Sequence, residues 1–167
     1  PAVLGKLTRA LADQGATAIK VIAPSEIVLD ERVRLKCLIP RCQSYGRNLM
    51  CPPHLPPLAE FRAALGRTTV AVLVQVSAPV PGEAVKRSSE DVYLPAKKLH
   101  ELICLGERLA FEQGFQLAIG LIGGPCRLCE QCVGPQSNEP CRHPFRARPP
   151  MEAMGIDVIA TAEKAEI

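Results

Sequence analysis

The sequence predicts an α/β fold, in which a small mixed or parallel sheet is flanked by helices and carries two cysteine-rich, metal-binding loops. Three observations support this prediction. Apolar residues recur at helical spacing at the start of the chain, a continuous β-branched run occupies residues 68–76, and a long helical segment separates that run from another apolar run. A strand, a helix and a strand in this order form a crossover, which normally joins parallel strands with a right-handed turn.

The first third of the chain contains one predicted helix and two predicted strands. Leucines and alanines three and four residues apart predict an opening helix that ends at Gly15. Residues 17–23 and 27–35 are rich in Ile and Val and are separated by Pro24-Ser25, which predicts a hairpin or meander. Residues 36–57 are predicted to form a loop, because their five prolines are incompatible with helix interiors and central strands.

Helices and strands alternate in the middle of the chain. Residues 58–66 predict a short helix with a glycine stop, and TTVAVLVQV at 68–76 predicts a central strand that is buried on both faces. Ser88 or Ser89 can cap a long helix that ends near Gln113, with Gly114 closing it. Residues 115–122 predict the next strand.

The last part of the chain is predicted to be a second cysteine-rich loop followed by a helix. The loop covers residues 123–150, and helical structure begins near Met151, with Asp157 as a cap. We therefore predict one domain over residues 1–167, with the two cysteine loops on its rim.

Composition and charge limit the classes of function that this chain could have. A net charge of +3 with 4% aromatic residues does not indicate nucleic-acid binding, and the absence of a long apolar run predicts no membrane span. The opening residues also lack the apolar stretch of a signal peptide, so we expect a cytoplasmic protein. Because cytosolic thiols are kept reduced, eight cysteines in such a chain indicate metal binding in preference to disulfides.

The strongest motif is the run Cys126, Cys129 and Cys132, which places three thiols at three-residue intervals. Bacterial-type ferredoxin loops wrap a cubane iron-sulfur cluster with this spacing, whereas a single zinc ion usually takes two ligands per loop. Cys141 is the predicted fourth ligand, although its position differs from the ferredoxin ending. A structural zinc site built from the same thiols is the alternative.

A second three-cysteine segment lies in the first loop, at Cys37, Cys42 and Cys51. Two interpretations of a cluster there stay open. In one, His54, Cys104 or another group completes a set of four ligands; in the other, one iron stays open to bind substrate. A zinc ion with His54 as its fourth ligand is a further alternative.

Several other residues could act around these sites. Cys104 lies in the predicted long helix and is expected to be a buried structural thiol. His143 is close enough to Cys141 to bind a metal or a cluster sulfide, or it is a surface histidine. Arginines and lysines that could raise a reduction potential or dock an anionic partner crowd both loops, at Lys36, Arg41, Arg47, Arg127, Arg142, Arg146 and Arg148.

Three sequence blocks resemble a family of bacterial and archaeal proteins that are predicted to bind metal through a domain of unknown function. The blocks are Cys37-x4-Cys42 followed by YGRNLMCPPHLPPLAEFR, then GGPCRLCEQC, and finally EPCRHPFRARPPMEAMGIDV. They extend from Cys37 to Val158 and so cover most of the chain. The resemblance implies metal binding through these cysteines, as iron-sulfur clusters, and supplies no reaction.

These observations lead to three functional hypotheses. The leading one is an iron-sulfur protein with two [4Fe-4S] clusters that exchanges single electrons with a redox partner protein. The second is an enzyme in which an open iron at the three-cysteine site acts as a Lewis acid on a small-molecule substrate. The third is a structural or interaction protein that binds zinc.

Overall fold

The computed structural model describes residues 2–79, 89–134 and 137–167, and it confirms the α/β class. Within these ranges lie two short 3-10 turns, five α-helices and two β-strands. The 3-10 turns are Pro24–Glu26 and Glu152–Met154. The helices are α1 (Ala2–Asp13), α2 (Glu31–Leu35), α3 (Leu58–Leu65), α4 (Ser89–Glu112) and α5 (Val158–Lys164), and the strands are β1 (Ala18–Ile22) and β2 (Ala71–Gln75).

The two strands pair as an antiparallel ladder, in which Ala18 lies opposite Gln75 and Ile22 lies opposite Ala71. The predicted parallel arrangement is therefore wrong for this sheet, and β1 does not pair with residues 27–35. β2 is one half of a two-stranded ladder instead of a central strand, and four of its five residues are partly buried. The connection from β1 to β2 contains the first cysteine loop, so pairing of the strands brings the two ends of that connection together.

Residues 27–35 do not form the predicted strand, because α2 occupies their second half. Asp30 caps this helix by accepting a hydrogen bond from the Arg32 N–H at 2.8 Å. Hydrogen bonds from the Arg32 side chain lower the pKa of Asp30 from its ordinary value of 3.8 to about 2. The preceding residue, Leu29, pairs with Ile156 in an isolated bridge. The Ile and Val pattern here thus reflects partial burial beside the C-terminal region.

Residues 115–122 do not form the predicted strand either, so the predicted strand, helix and strand crossover is wrong. In this stretch, all of which is described, Ile122 makes an isolated parallel bridge to Pro150. The Gly120 N–H donates to the Glu107 carboxylate of α4 at 2.7 Å instead of to a carbonyl of a neighbouring strand. A Cβ at Gly120 would overlap the Ile103 side chain, so the glycine allows this segment to lie directly on α4.

The main hydrophobic cluster packs α1 and α4 against the sheet. Leu11 of α1 and Leu102 of α4 are each only 1% exposed, and they form the centre of the cluster. The sheet contributes Ile19, Val72 and Val74. One face of α4 is therefore anchored in the core, and His100, Cys104 and Glu107 lie on a different face of the helix.

The predicted helices are confirmed. Gly15 and Gly114 follow α1 and α4 with φ values of +96° and +95°, as expected for glycines that close a helix. Asp157 caps α5 by accepting a hydrogen bond from the Ala160 N–H at 3.0 Å. Ser88, one of the two predicted caps of α4, lies outside the described residues. No helix in the described ranges is long and apolar enough to cross a membrane.

Candidate metal centre

The first cysteine loop, residues 36–57, is a series of turns. The Cys42 N–H donates to the Cys37 carbonyl at 3.0 Å, which closes a turn between these two cysteines. Gly46 then adopts a φ of +69°, and its N–H donates to the Pro52 carbonyl at 2.9 Å. A residue with a Cβ would be strained at this φ, so the glycine is needed where the chain reverses. These bonds fold the loop back on itself and leave Cys51 near its centre.

The second cysteine loop, residues 123–150, is held along α4. His100 Nε2 donates to the Arg146 carbonyl at 2.7 Å, and the Cys104 thiol donates to the same carbonyl at 3.5 Å. Since a carbonyl can only accept, the first bond requires the proton on Nε2. One turn further along, the Glu107 carboxylate pairs with the Arg148 guanidinium, and each side chain is only 18% exposed. Three side chains over about two turns of the helix thereby hold the return segment of the loop.

The two cysteine loops contact each other. Asn48 in the first loop donates from Nδ2 to the Cys126 carbonyl at 3.0 Å, and its Oδ1 accepts from the Met50 N–H at 2.9 Å. Gly134, beyond the last cysteine of the three-cysteine motif, also lies against the first loop. A Cβ there would be 3.7 Å from the Arg47 carbonyl oxygen. The first loop therefore touches the second at the first cysteine of the motif and just beyond its last cysteine.

Cys51 lies where the two loops meet, and it is only 5% exposed. Burial raises the pKa of its thiol from 9.0 to about 12, and the negative charges of nearby thiolates add to that shift. The thiolates come from both loops, at Cys42, Cys37, Cys126 and Cys132. Cys51 can therefore be a thiolate at neutral pH only if a cation compensates the negative charges around it.

Cys126 has a similar environment. Burial raises the pKa of its thiol, and the thiolates of Cys141 and Cys129 raise it further. Backbone N–H groups of Leu128 and Arg148 lower the pKa, since they hydrogen-bond the sulfur. Hydrogen bonds of this kind also stabilise a thiolate that binds iron, and they are among the interactions that set cluster potentials.

The remaining candidate ligands lie in different surroundings. Cys104 is partly buried instead of fully buried, and burial raises the pKa of its thiol beside the second loop. His54 is exposed, and its backbone N–H donates to the Cys51 carbonyl at 3.1 Å. The His143 backbone N–H lies 3.4 Å from the Cys141 sulfur. In this pair the backbone, not the imidazole, contacts the sulfur.

The cysteine thiols can be compared with the ligands that a single metal ion and an iron-sulfur cluster each require. Among the described residues, which include all eight cysteines, no group of three or more His, Cys, Asp or Glu side chains is arranged to hold a metal ion. A tetrahedral ion with metal–sulfur bonds of about 2.3 Å needs sulfurs within about 4 Å of each other. A cubane takes each thiolate on a different iron and accepts a wider spacing. The two kinds of site therefore place different demands on the distances between the thiols.

The basic residues predicted to surround the cysteines are mostly engaged in contacts. Arg127 lies over the Tyr93 ring at 3.8 Å, and Arg41 lies over the Tyr45 ring at 5.3 Å. Arg142 donates to the Gln131 carbonyl at 3.0 Å within the second loop. These arginines stabilise the loops as well as making them positive.

The sequence did not show the loop contacts of four residues, Asn48, His100, Cys104 and Glu107. His100, Cys104 and Glu107 recur at helical spacing, which could have identified a polar face of α4. Asn48 gave no such signal, because its partner, the Cys126 carbonyl, is distant in the chain. Its role appears only when the two loops are in contact.

Comparison with known proteins supports metal binding. A family described as predicted metal-binding protein (DUF2284) matches residues 20–167, which include both cysteine loops and every predicted cysteine ligand. No curated protein and no solved structure matches the chain. Because the family match spans most of the sequence, the chain belongs to the DUF2284 family of predicted metal-binding proteins.

Proposed function

We propose that this protein holds two [4Fe-4S] clusters on its seven loop cysteines and exchanges single electrons with a redox partner in the reducing cytoplasm. When bound, such clusters supply reversible one-electron transfer. The proposed ligands are Cys126, Cys129, Cys132 and Cys141 for one cluster and Cys37, Cys42 and Cys51 for the other.

The observation that carries the proposal is the contact between the two loops. The Asn48 side chain hydrogen-bonds the Cys126 carbonyl, and the charge of Cys51 is coupled to thiols of both loops. Two centres bound there would be neighbours, as electron exchange between them requires. The same contact buries Cys51 and so limits access of water to its sulfur.

The count of thiols supports a second candidate function. Two cubanes with four cysteine ligands each would need eight thiolates, and the proposed set has seven. One iron would then lack a cysteine ligand and could bind a small-molecule substrate as a Lewis acid. Perturbation of the visible and electron paramagnetic resonance spectra by cyanide would support this function, and complete insensitivity would count against it.

A surface suited to a redox partner lies beside the first loop. Leu35, Leu38 and Ile39 are exposed next to Cys37, and Ile39 is 74% exposed. Lys36 and Arg41 are exposed among them. An apolar centre with a basic rim favours a partner with an acidic face.

Electron transfer with an acidic flavodoxin should become slower in a Lys36→Glu, Arg41→Glu variant, while the control Arg9→Glu on α1 should change it little.

The first experiment is to measure iron, zinc and acid-labile sulfide on protein purified without oxygen. About eight iron and eight sulfide per chain are expected for two cubanes. About four iron and four sulfide per chain would leave the first loop without a cluster. Stoichiometric zinc without sulfide would overturn the redox proposal and identify a structural or interaction protein.

Cysteine variants test which thiols hold the clusters. Cys132→Ser should lower the iron and sulfide content by about half, because it removes one ligand of a single cubane. Cys104→Ser is the matched control, since Cys104 is a partly buried thiol outside the proposed set. Equal losses in both variants would show that the iron content follows general destabilisation.

Reversible reduction, followed by spectroscopy at controlled potential, then tests the electron-transfer function.

A further inference from the structure

A cavity of about 250 Å³ lies between α4 and the second cysteine loop. Buried Ile122 and Gly123 line it where the chain enters the loop. The volume is smaller than the roughly 300–1,000 Å³ of drug-sized ligand sites, so it suits a ligand of only a few heavy atoms. Because Pro125 and Arg127 line it on either side of Cys126, a bound molecule would lie beside the proposed metal centre.

Most of the charged residues that line this cavity are cations. Three cations, Lys97, Arg127 and Arg146, line it together with one carboxylate, that of Glu101. The loop holds the Arg127 guanidinium in place, since it donates to the Pro125 carbonyl at 3.1 Å and lies over the Tyr93 ring at 3.8 Å. An arginine that is held in this way loses little conformational freedom when it binds an anion.

A buried polar side chain also lines the cavity. His100 is only 7% exposed, and its Nε2 is engaged with the Arg146 carbonyl at 2.7 Å. Among the hydrogen bonds of the described residues, its Nδ1 has no partner. Because the proton is on Nε2, Nδ1 is an acceptor, so it can take a hydrogen bond from a protonated ligand oxygen, such as the hydroxyl of monohydrogen phosphate, while the ring keeps the Arg146 segment in place.

We propose that this cavity binds a small oxyanion, a carboxylate or phosphate compound, through Arg127, Lys97 and Arg146 and next to the metal centre. Arginine forks bind both groups through paired hydrogen bonds, and the net positive lining favours either. The proposal goes beyond the proposed electron transfer. It depends on the side chains that line the cavity and holds whether the cysteines bind iron-sulfur clusters or zinc.

The test is isothermal titration calorimetry on the metal-loaded protein, purified without oxygen, with inorganic phosphate, succinate and neutral succinamide as probes. We expect saturable binding of phosphate or succinate that weakens with added salt, and no binding of succinamide. Whichever anion binds more tightly identifies the oxyanion class. Absence of saturable binding by both anions, or equal binding of succinate and succinamide, would overturn the proposal.

Variants locate the binding site. Arg127→Gln and, separately, Lys97→Gln should each raise the Kd about tenfold, as expected for loss of one charge-assisted hydrogen bond. Lys97 lies on α4, outside the cysteine loop, so its variant is expected to fold even if Arg127→Gln disturbs the loop. The matched control is Arg108→Gln, which removes an equal charge from an exposed position of the same helix.

Metal content is measured on every variant, so that loss of the centre and loss of the anion site can be told apart. A raised Kd in Lys97→Gln with unchanged metal content supports the site. An unchanged Kd in that variant, or an equal rise in Arg108→Gln, would overturn it, because binding would then follow only the total charge. A protein that binds zinc and still binds the anion would overturn the redox function and leave this inference standing.

Discussion

At the scale of single residues, Cys51 has the most distinctive environment, because it is buried between two loops that carry other thiols. Its pKa is raised from 9.0 to about 12, so a smaller fraction of it is thiolate at any pH below about 12. In metal-free protein at pH 8, this corresponds to about a thousandfold less thiolate than an unperturbed cysteine has.

We expect iodoacetamide to alkylate Cys51 at least about a hundredfold more slowly than exposed Cys42 at pH 8, with the rate at Cys51 still rising above pH 9. Mass spectrometry of the labelled peptides measures both rates in one sample. Denatured protein is the control, since unfolding should remove the difference. Equal rates in the folded protein would contradict the burial of Cys51 between the loops.

Asn48 is the second residue whose environment makes a specific prediction. Asn48→Ala removes the hydrogen bonds to the Cys126 carbonyl and from the Met50 N–H, so the free energy of unfolding should fall by about 1–3 kcal/mol. Asn48→Asp keeps the acceptor and loses the donor, which isolates the bond between the loops. Chemical denaturation measures these effects. Gln43→Ala, at an exposed position of the same loop, should change stability by less than about 0.5 kcal/mol.

At the scale of secondary-structure elements, the polar face of α4 anchors the second cysteine loop. Glu107 accepts from the Gly120 N–H and pairs with Arg148, and both partners of the ion pair are largely shielded from water. Glu107→Gln should cost about 2 kcal/mol, because it leaves the Arg148 charge without its partner. Thermal or chemical unfolding measures the loss. Exposed Glu112→Gln on the same helix serves as the control and should have little effect.

The turn before α5 depends on a glycine. Gly155 has a φ of +82°, and a Cβ there would lie 2.7 Å from Leu58 Cδ1 of α3. Gly155→Ala should therefore destabilise the protein by about 1–3 kcal/mol, through backbone strain and overpacking. Gly5→Ala is the matched control, since its Cβ would meet nothing within 4 Å inside α1. That substitution should stabilise the protein by up to about 1 kcal/mol, and a loss in both variants would contradict the assignment.

At the scale of the whole molecule, the hydrophobic cluster and the cysteine loops depend on different forces. Leu7, Leu11, Leu102 and Ala110 join α1 and α4 over the sheet by apolar burial. The loops at residues 36–57 and 123–150 consist mainly of turns and isolated bridges in their described parts. A bound metal would supply much of the stability that such segments lack.

Removal of the metal should therefore loosen the loops before it unfolds the core. In hydrogen exchange followed by mass spectrometry, we expect protection to fall first in peptides from the two loops, while peptides from α1, β2 and the second half of α4 stay protected. Protein with its metal retained, measured in the same buffer, is the control. Simultaneous loss of protection across the chain would show that the core itself depends on the metal.

The local predictions agree with the structure where short-range physics decides the outcome. The opening helix, the helix at residues 58–65 and the long α4 follow apolar periodicity, and Gly15, Gly114 and Asp157 end or cap helices as their residue types predict. The single domain and the cysteine ligand sets stay predictions. Cysteine spacing shows which thiols lie close along the chain, and it cannot show which loops meet.

The sequence by itself determined four of the five helices, α1, α3, α4 and α5, the positions of the strands at Ala18–Ile22 and Ala71–Gln75, and membership of a predicted metal-binding family. Only the tertiary structure decided that β1 pairs with β2, that residues 27–35 and 115–122 lie as irregular or helical segments, and that Asn48 reaches Cys126. The physical reason is the same in each case. An apolar run is buried equally well in a strand or against a helix, and its backbone takes whichever hydrogen-bond partners distant segments provide.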